Sequence, residues 1–126
     1  MQITHVRVFK LTGTIEQEGE FWEERLIRPI DIYPEHKAEG VSWIAPLSPG
    51  KYHNTAYFIR IETDSGVYGI GGPISEDQVY FVGKQLAPLL IGNDPLAIER
   101  LWDRMYRAMV HGRKGVVMQA ISAIDC

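Results

Sequence analysis

Ala56-Tyr57-Phe58-Ile59-Arg60-Ile61-Glu62-Thr63-Asp64-Ser65-Gly66-Val67-Tyr68-Gly69-Ile70-Gly71 is the stretch from which the rest of the chain can be placed. Side chains alternate across a strand, so Tyr57, Ile59 and Ile61 share one face while Phe58, Arg60 and Glu62 share the other. Asp64-Ser65-Gly66 supplies turn chemistry, because glycine takes positive φ without a Cβ clash. Val67 to Gly71 then returns, and the spacing predicts a hairpin over 56–71. Upstream, Ile3 to Leu11 mixes β-branched and polar residues and reads as another strand, closed by Thr12-Gly13. Together they predict a three-stranded antiparallel sheet.

Beyond Pro73 the period becomes helical. Ser75-Glu76-Asp77-Gln78 has capping-box spacing, in which Gln78 reaches back to the serine amide. Val79, Val82, Leu86 and Leu89 follow one face, with Gly83 and Pro88 weakening the helix and ending it near Ala87. Asn93-Asp94-Pro95 predicts a restart, with Asp94 as N-cap and Pro95 at the first helical position. Ile98, Leu101, Trp102, Met105 and Met109 make an apolar stripe opposite Arg100, Asp103, Arg104 and Arg107. Gly112 is expected to end that helix and Gly115 to open the next. Strands followed by about three helices give an α+β architecture with helices on one sheet face.

The last helix carries apolar residues at Val116, Val117, Ala120, Ile121 and Ile124 but has no stop signal before Cys126. An apolar helix of this kind should continue or pack on further chain, so the 126 residues are expected to be the front part of a larger protein. Residues 1–114 then form one domain, and 115–126 begin a helix leading into a second.

Between the sheet strands lies an irregular stretch, 14–54. It carries an acidic run (Glu16, Glu18, Glu20, Glu23, Glu24), four of the seven prolines, Trp22, Trp43 and Tyr33. Connections of this length are functional, disordered or hold short elements. Its aromatic content disfavours disorder and favours a folded lid or flap. The segment Trp22 to Lys37 combines aromatics, Arg25, Arg28, Lys37 and His36 with proline-restricted backbone. It suits either a polar, anionic small molecule or an arm packed on a neighbouring domain or subunit, the two readings standing level. The acidic run itself reads as a solvated face.

Other chemistries find no support. The net charge of −3 leaves no footprint for nucleic acid or an anionic membrane. No apolar run reaches the roughly 20 residues that span a bilayer, and the N-terminus lacks signal-peptide character. One cysteine, Cys126, fits a reducing, cytoplasmic setting. His5, His36, His53 and His111 lack metal-ligand spacing. Gly69-Ile70-Gly71-Gly72-Pro73 fails as a phosphate loop, since the third glycine is misplaced and Pro73 lacks an amide donor. Such glycines more often permit a bulge or a close backbone approach. The basic linker His111-Gly112-Arg113-Lys114-Gly115 is explained by cations favouring a helix C-terminus, ahead of an anion site.

Val6-Arg7-Val8-Phe9, the hairpin from Phe58 to Gly69, Leu86-Ala87-Pro88-Leu89-Leu90-Ile91-Gly92-Asn93-Asp94-Pro95 and Ala120-Ile121-Ser122-Ala123-Ile124-Asp125 carry a resemblance. The chain resembles the N-terminal capping domain of the enolase superfamily, in its mandelate racemase and muconate lactonizing enzyme branch. The long segment, with Trp22, Pro29, Tyr33 and Trp43, is most similar to the rhamnonate dehydratase-like subgroup. Gly72 stands where many relatives carry an acidic residue.

The resemblance implies a Mg²⁺-dependent acid-sugar dehydratase, a lyase of sugar-acid catabolism. A base would remove the proton α to the carboxylate, the metal would stabilise the enediolate, and hydroxide would leave from the β carbon. Metal ligands and bases of that family sit on a C-terminal (β/α)8 barrel, so no catalytic or metal position is assigned within these residues. The cap would read the far end of the substrate, with Trp22, Arg28, His36, Lys37, Lys51 and His53 as candidate binding residues. Its implied partners are a small-molecule sugar acid and its own barrel, and a homo-oligomer is expected because loop arms of this kind reach across subunits. A racemase or cycloisomerase of the same superfamily shares the cap. A free-standing binding module is the alternative from another class.

Overall fold

A computed structural model describes residues 1–18, 29–37 and 45–126. In chain order these form β1 (Ile3–Glu16), a 3₁₀ turn (Pro29–Ile32), α1 (Pro34–Lys37), β2 (Ala45–Ser48), β3 (Lys51–Thr63), β4 (Tyr68–Ile74), α2 (Glu76–Phe81), a π-helical turn (Val82–Leu86), α3 (Ala87–Leu90), α4 (Ile98–Arg107) and α5 (Val116–Asp125). The fold is α+β. Its sheet has four strands rather than three, in the order β1-β3-β2 with β4 also on β3. The additional strand, β2, pairs antiparallel with the start of β3, Ala45 opposite His53 and Pro46 opposite Tyr52.

Two compact units make up the chain: Met1–Leu11 with Ala56–Cys126, and Thr12–Thr55. In the first, Asp64-Ser65-Gly66 turns the hairpin with Gly66 at φ 82°. The Thr63 amide donates to Val67 O at 3.0 Å. Ile59 is fully buried, and Tyr57 and Ile61 pack beside it in the core, as the alternation predicts. Arg60 and Glu62 face away, ion-paired at 3.0 Å.

The register of β3 and β4 slips between Tyr57 opposite Ile74 and Ile59 opposite Gly71. The extra residue on β4 falls at Gly72-Pro73, a cis peptide, with Gly72 at φ 120°. Next to this bulge, a Cβ on Gly71 would overlap the carbonyl oxygen of Ala123 in α5. The glycine-rich strand end therefore serves backbone packing. It lets α5 lie directly on the sheet.

Helix α2 begins as its capping box requires, Gln78 Oε1 accepting the Ser75 amide at 2.9 Å. The helix does not end near Ala87. The five-residue π turn places the Ala87 amide on Val82 O, and α3 continues to Leu90 with Pro88 in its first turn. Pro88 follows the π turn directly, and in an unbroken α-helix its missing amide would leave a preceding carbonyl without its donor. The widened turn also relieves the register that Pro88 would break in a plain α-helix. Thus α2, the π turn and α3 run as one arm, with Val82, Leu86 and Leu90 buried.

The α3 C-terminus is closed by Asn93, whose Nδ2 donates to Leu89 O at 3.1 Å and Leu90 O at 3.2 Å. Arg104 on α4 adds bonds to Leu89 O at 3.1 Å and Asn93 Oδ1 at 2.9 Å. Asp94 does not cap α4. Its Oδ1 accepts the Leu96 amide at 3.0 Å, closing a separate turn, and α4 starts at Ile98. That helix ends at Arg107, ahead of Gly112. Gly112 is instead a packing position, where a Cβ would meet Met109 Cβ at 2.8 Å and Val117 Cγ1 at 3.0 Å. Gly115, at φ 70°, precedes α5. Val117, Ala120 and Ile121 of α5 are buried in the same core as Ile3, Ile59, Leu101 and Met105.

In the second unit, the strands outrun their predicted ends. β1 passes through Thr12-Gly13 to Glu16 and β3 starts at Lys51. Gly50, at φ 74°, makes the tight β2–β3 turn, and its carbonyl accepts the Gln17 amide at 2.9 Å. Tyr52 is buried.

Candidate functional site

The candidate residues all lie in the Thr12–Thr55 unit. Lys51, the first residue of β3, directs its ammonium to Glu16 Oε1 at 2.9 Å; the two side chains are 54% and 71% exposed. A pair this exposed is worth about 0–1 kcal/mol, so a ligand anion can compete for the lysine. Two residues along the same strand, His53 Nε2 lies 3.4 Å from Thr55 Oγ1. His53 and Lys51 project to one side of β3 by the two-residue period. His53 is exposed. Together they offer a cation, an imidazole and a hydroxyl along one strand face.

His36 lies on α1, its amide donating to Tyr33 O at 3.0 Å. The two rings meet edge to face, with centroids 6.4 Å apart. Tyr33 is exposed and His36 half-buried. Pro29 precedes this aromatic pair and Pro34 lies between its two members, and their fixed φ restricts the turn that presents it. Lys37 ends α1. Trp22 and Arg28, with Trp43 and Glu20 to Glu24 of the acidic run, lie outside the described residues.

The sequence did not indicate that Glu16 partners Lys51. The acidic run reads as uniform, and only the extended pairing of β1 with β3 singles out one member. A cluster on the outer sheet face of the first unit also went unpredicted. Glu62 is ion-paired there with Arg60 at 3.0 Å, with His5 and Arg7 each 3.6 Å away, and Arg60 lies over the Tyr68 ring at 4.1 Å. The alternation of β3 placed Arg60 and Glu62 outward but could not choose their partners across strands.

Two recesses flank the C-terminal half of α5 in the first unit. One is an apolar groove of about 340 Å³ between the β3–β4 hairpin, α4 and Ile124 to Cys126. The other is a neutral polar notch of about 460 Å³, bordered by Ser75, Gln78, Gln119 and Ser122. In the notch Gln78 is 8% exposed and donates to Gln119 Oε1 at 2.9 Å. Neither recess gathers the charged groups that acid–base chemistry needs. Among the described residues no three His, Cys, Asp or Glu side chains come together as a metal site.

A small antiparallel sheet packed against helices on one face is the arrangement that comparison now places. Residues 45–126 match the model of the mandelate racemase / muconate lactonizing enzyme N-terminal domain. The chain belongs to that family. Over 136 aligned residues, 99% of its length, this mandelate racemase / muconate lactonizing enzyme N-terminal domain is 30% identical to L-rhamnonate dehydratase of Saccharopolyspora erythraea. It is 42% identical over 71 residues, 53% of the chain, to D-mannonate dehydratase of Novosphingobium aromaticivorans. Its fold matches 98% of the chain to a racemase from Streptomyces coelicolor A3(2) with bound magnesium, at a TM-score of 0.59 and 23% identity, and covers 29% of that protein. The domain spans about a third, 32%, of the length of the Saccharopolyspora relative, and the 71 aligned residues cover 18% of the Novosphingobium one. Among the described residues no helix is long and apolar enough to cross a membrane.

Proposed function

We propose that this domain is the cap of a cytoplasmic acid-sugar dehydratase, and that it reads the substrate while a (β/α)8 barrel beyond residue 115 performs the chemistry. The observation that carries this reading is the alignment with L-rhamnonate dehydratase over 99% of the chain. That alignment includes the 14–54 segment, where a cap distinguishes one substrate from another. The reaction class is loss of the proton α to a carboxylate and of hydroxide from the β carbon, a net elimination of water. Among the described residues no group of three His, Cys, Asp or Glu side chains is placed to hold a metal ion. The proposal places the metal ligands and bases on the barrel, and no step is routed through a metal here.

What the cap's own residues supply is binding. Lys51 and His53 on one face of β3, with His36 and the side chains of Trp22, Arg28 and Lys37, form the proposed contact set for a polyhydroxylated anion. Lys51 would exchange Glu16 for substrate oxygens, and Thr55 and His53 would bond hydroxyls. Binding energy from such remote groups is used to orient the reacting carbons. A homo-oligomer is part of the proposal. The test is dehydration of a panel of sugar acids by the longer protein and by the 126-residue chain. Turnover by the longer protein supports the reading, and racemisation or cycloisomerisation without dehydration moves it within the superfamily. Turnover by the short chain contradicts it, as would specific partner binding without any downstream sequence.

A further inference from the structure

The sheet face opposite the helices is built from arginines and aromatic rings. Arg60 stands opposite Ile70 and Glu62 opposite Tyr68 in the β3–β4 register, so all four project to that side. Phe9 of β1 stacks on Phe58 there, with ring centroids 5.8 Å apart. Tyr68 is 54% exposed and Ile70 57%. Arginine and aromatic side chains gathered on one open face are the composition of a protein interface.

The charges on this face do not cancel. Arg7 and Arg60 share one carboxylate, Glu62, and His5 Nδ1 comes within 3.6 Å of it. The Arg60 contact is 3.0 Å long yet leaves the buried Nε without a hydrogen bond. Stacking over Tyr68 at 4.1 Å fixes the guanidinium plane. A guanidinium held flat with donors to spare is preorganised for a second carboxylate. The face thus carries a positive surplus on a chain of net charge −3. The complement lies in the same sequence: residues 16–24 hold five glutamates and no lysine or arginine. Glu16 meets Lys51, and Glu18 is exposed. The adjacent acids Glu76 and Asp77 are already accounted for by the first turn of α2, where the helix dipole favours them.

We infer that the sheet face around Arg7, Arg60 and Tyr68 of one copy receives the acidic segment 16–24 of a second copy, its glutamates set against the two arginines. In a two-fold dimer the contact forms twice, each copy giving one face and one segment. The inference rests on the proposed function only through its homo-oligomer, and it adds which surfaces meet.

Charge exchange in the longer protein tests it. One variant carries Arg7→Glu with Arg60→Glu, the other Glu18→Lys with Glu20→Lys, and sedimentation velocity over a dilution series reads self-association. Each variant alone should associate about tenfold or more weakly, through like charges set together. Their equal mixture should recover the wild-type constant, because a mixed dimer has one unaltered contact and one with both signs reversed. Wild-type association by either variant alone overturns the inference, as does a mixture no better than its components. A monomeric wild-type protein, destabilised by the first variant and restored when one chain carries all four changes, assigns the segment to its own copy and also overturns it. Should Arg60→Glu lower the melting temperature, Arg7→Glu alone, at a side chain 61% exposed, carries the same comparison. Sugar-acid dehydration is measured on the same samples. A dehydratase that assembles without this contact overturns the inference and leaves the proposed function standing. Rescue on mixing in a protein that dehydrates no sugar acid supports the contact and removes the functional reading.

Discussion

Gly71 in β4 and Ala123 in α5 approach so closely that a single added methyl group at Gly71 would overlap the Ala123 carbonyl. That approach places α5 flat on the sheet and puts Val117, Ala120 and Ile121 into the core. The obstructing atom is backbone, so no rotamer change relieves it. Gly71→Ala should destabilise by about 1–3 kcal/mol, the range for overpacking a tight contact. Thermal melting followed by circular dichroism reads this as a lower Tm. Gly83→Ala is the contrast, since a Cβ there meets nothing within 4 Å. It should be neutral or stabilise by up to about 1 kcal/mol, glycine being a poor helix former.

Arg104 is expected to matter more than a surface arginine. It donates to both Leu89 O and Asn93 Oδ1, and so ties α4 to the end of α3. Arg104→Met keeps the aliphatic stem but leaves those acceptors short of a donor, at a cost of about 1–3 kcal/mol. Denaturant unfolding of Arg104→Met, Asn93→Ala and the double variant should show coupling of at least about 0.5 kcal/mol. Additive losses would mean the two side chains act independently.

Capping residues separate in the same way. Gln78→Ala removes both the acceptor for the Ser75 amide and the bond to Gln119, and should cost about 1–2 kcal/mol. Asp94→Ala, whose carboxylate serves only the short turn before α4, should cost about 0.5 kcal/mol. Chemical denaturation of the two variants side by side checks the order.

These cases show what the residues announce and what they leave to the fold. The hairpin was legible because its period and its glycine turn are local properties of Ala56 to Gly71. The helical faces of α2 and α5 were legible for the same reason. β1 ran past Thr12-Gly13 because its extension is held by pairing with residues beginning at Lys51, distant in sequence. The π turn depends on how Pro88 meets the preceding carbonyls, which periodicity does not encode. Asp94 had the chemistry of a cap but met Leu96 first. In the candidate site, the residue types of Lys51, His36 and His53 were legible. The pairing of Lys51 with Glu16 was not, since five similar carboxylates compete for it on paper.

For the site itself, Lys51→Ala should change folding stability by no more than about 1 kcal/mol, as expected for an exposed pair. In the longer protein it should raise KM for a sugar acid about tenfold or more. Loss of one charge-assisted contact, about 1.5–3 kcal/mol, has that size. Glu16→Gln should leave KM unchanged or lower it, because it frees the lysine. Steady-state kinetics on both variants separates a binding lysine from a structural one.

The most direct measurement is the dehydration of L-rhamnonate and related sugar acids by the longer protein, set beside the isolated 126-residue chain under the same conditions. The account predicts turnover by the longer protein, none by the isolated domain, and a KM that rises when Lys51 is removed. Dehydration by the 126 residues alone, or a longer protein that eliminates water from no sugar acid, would contradict it.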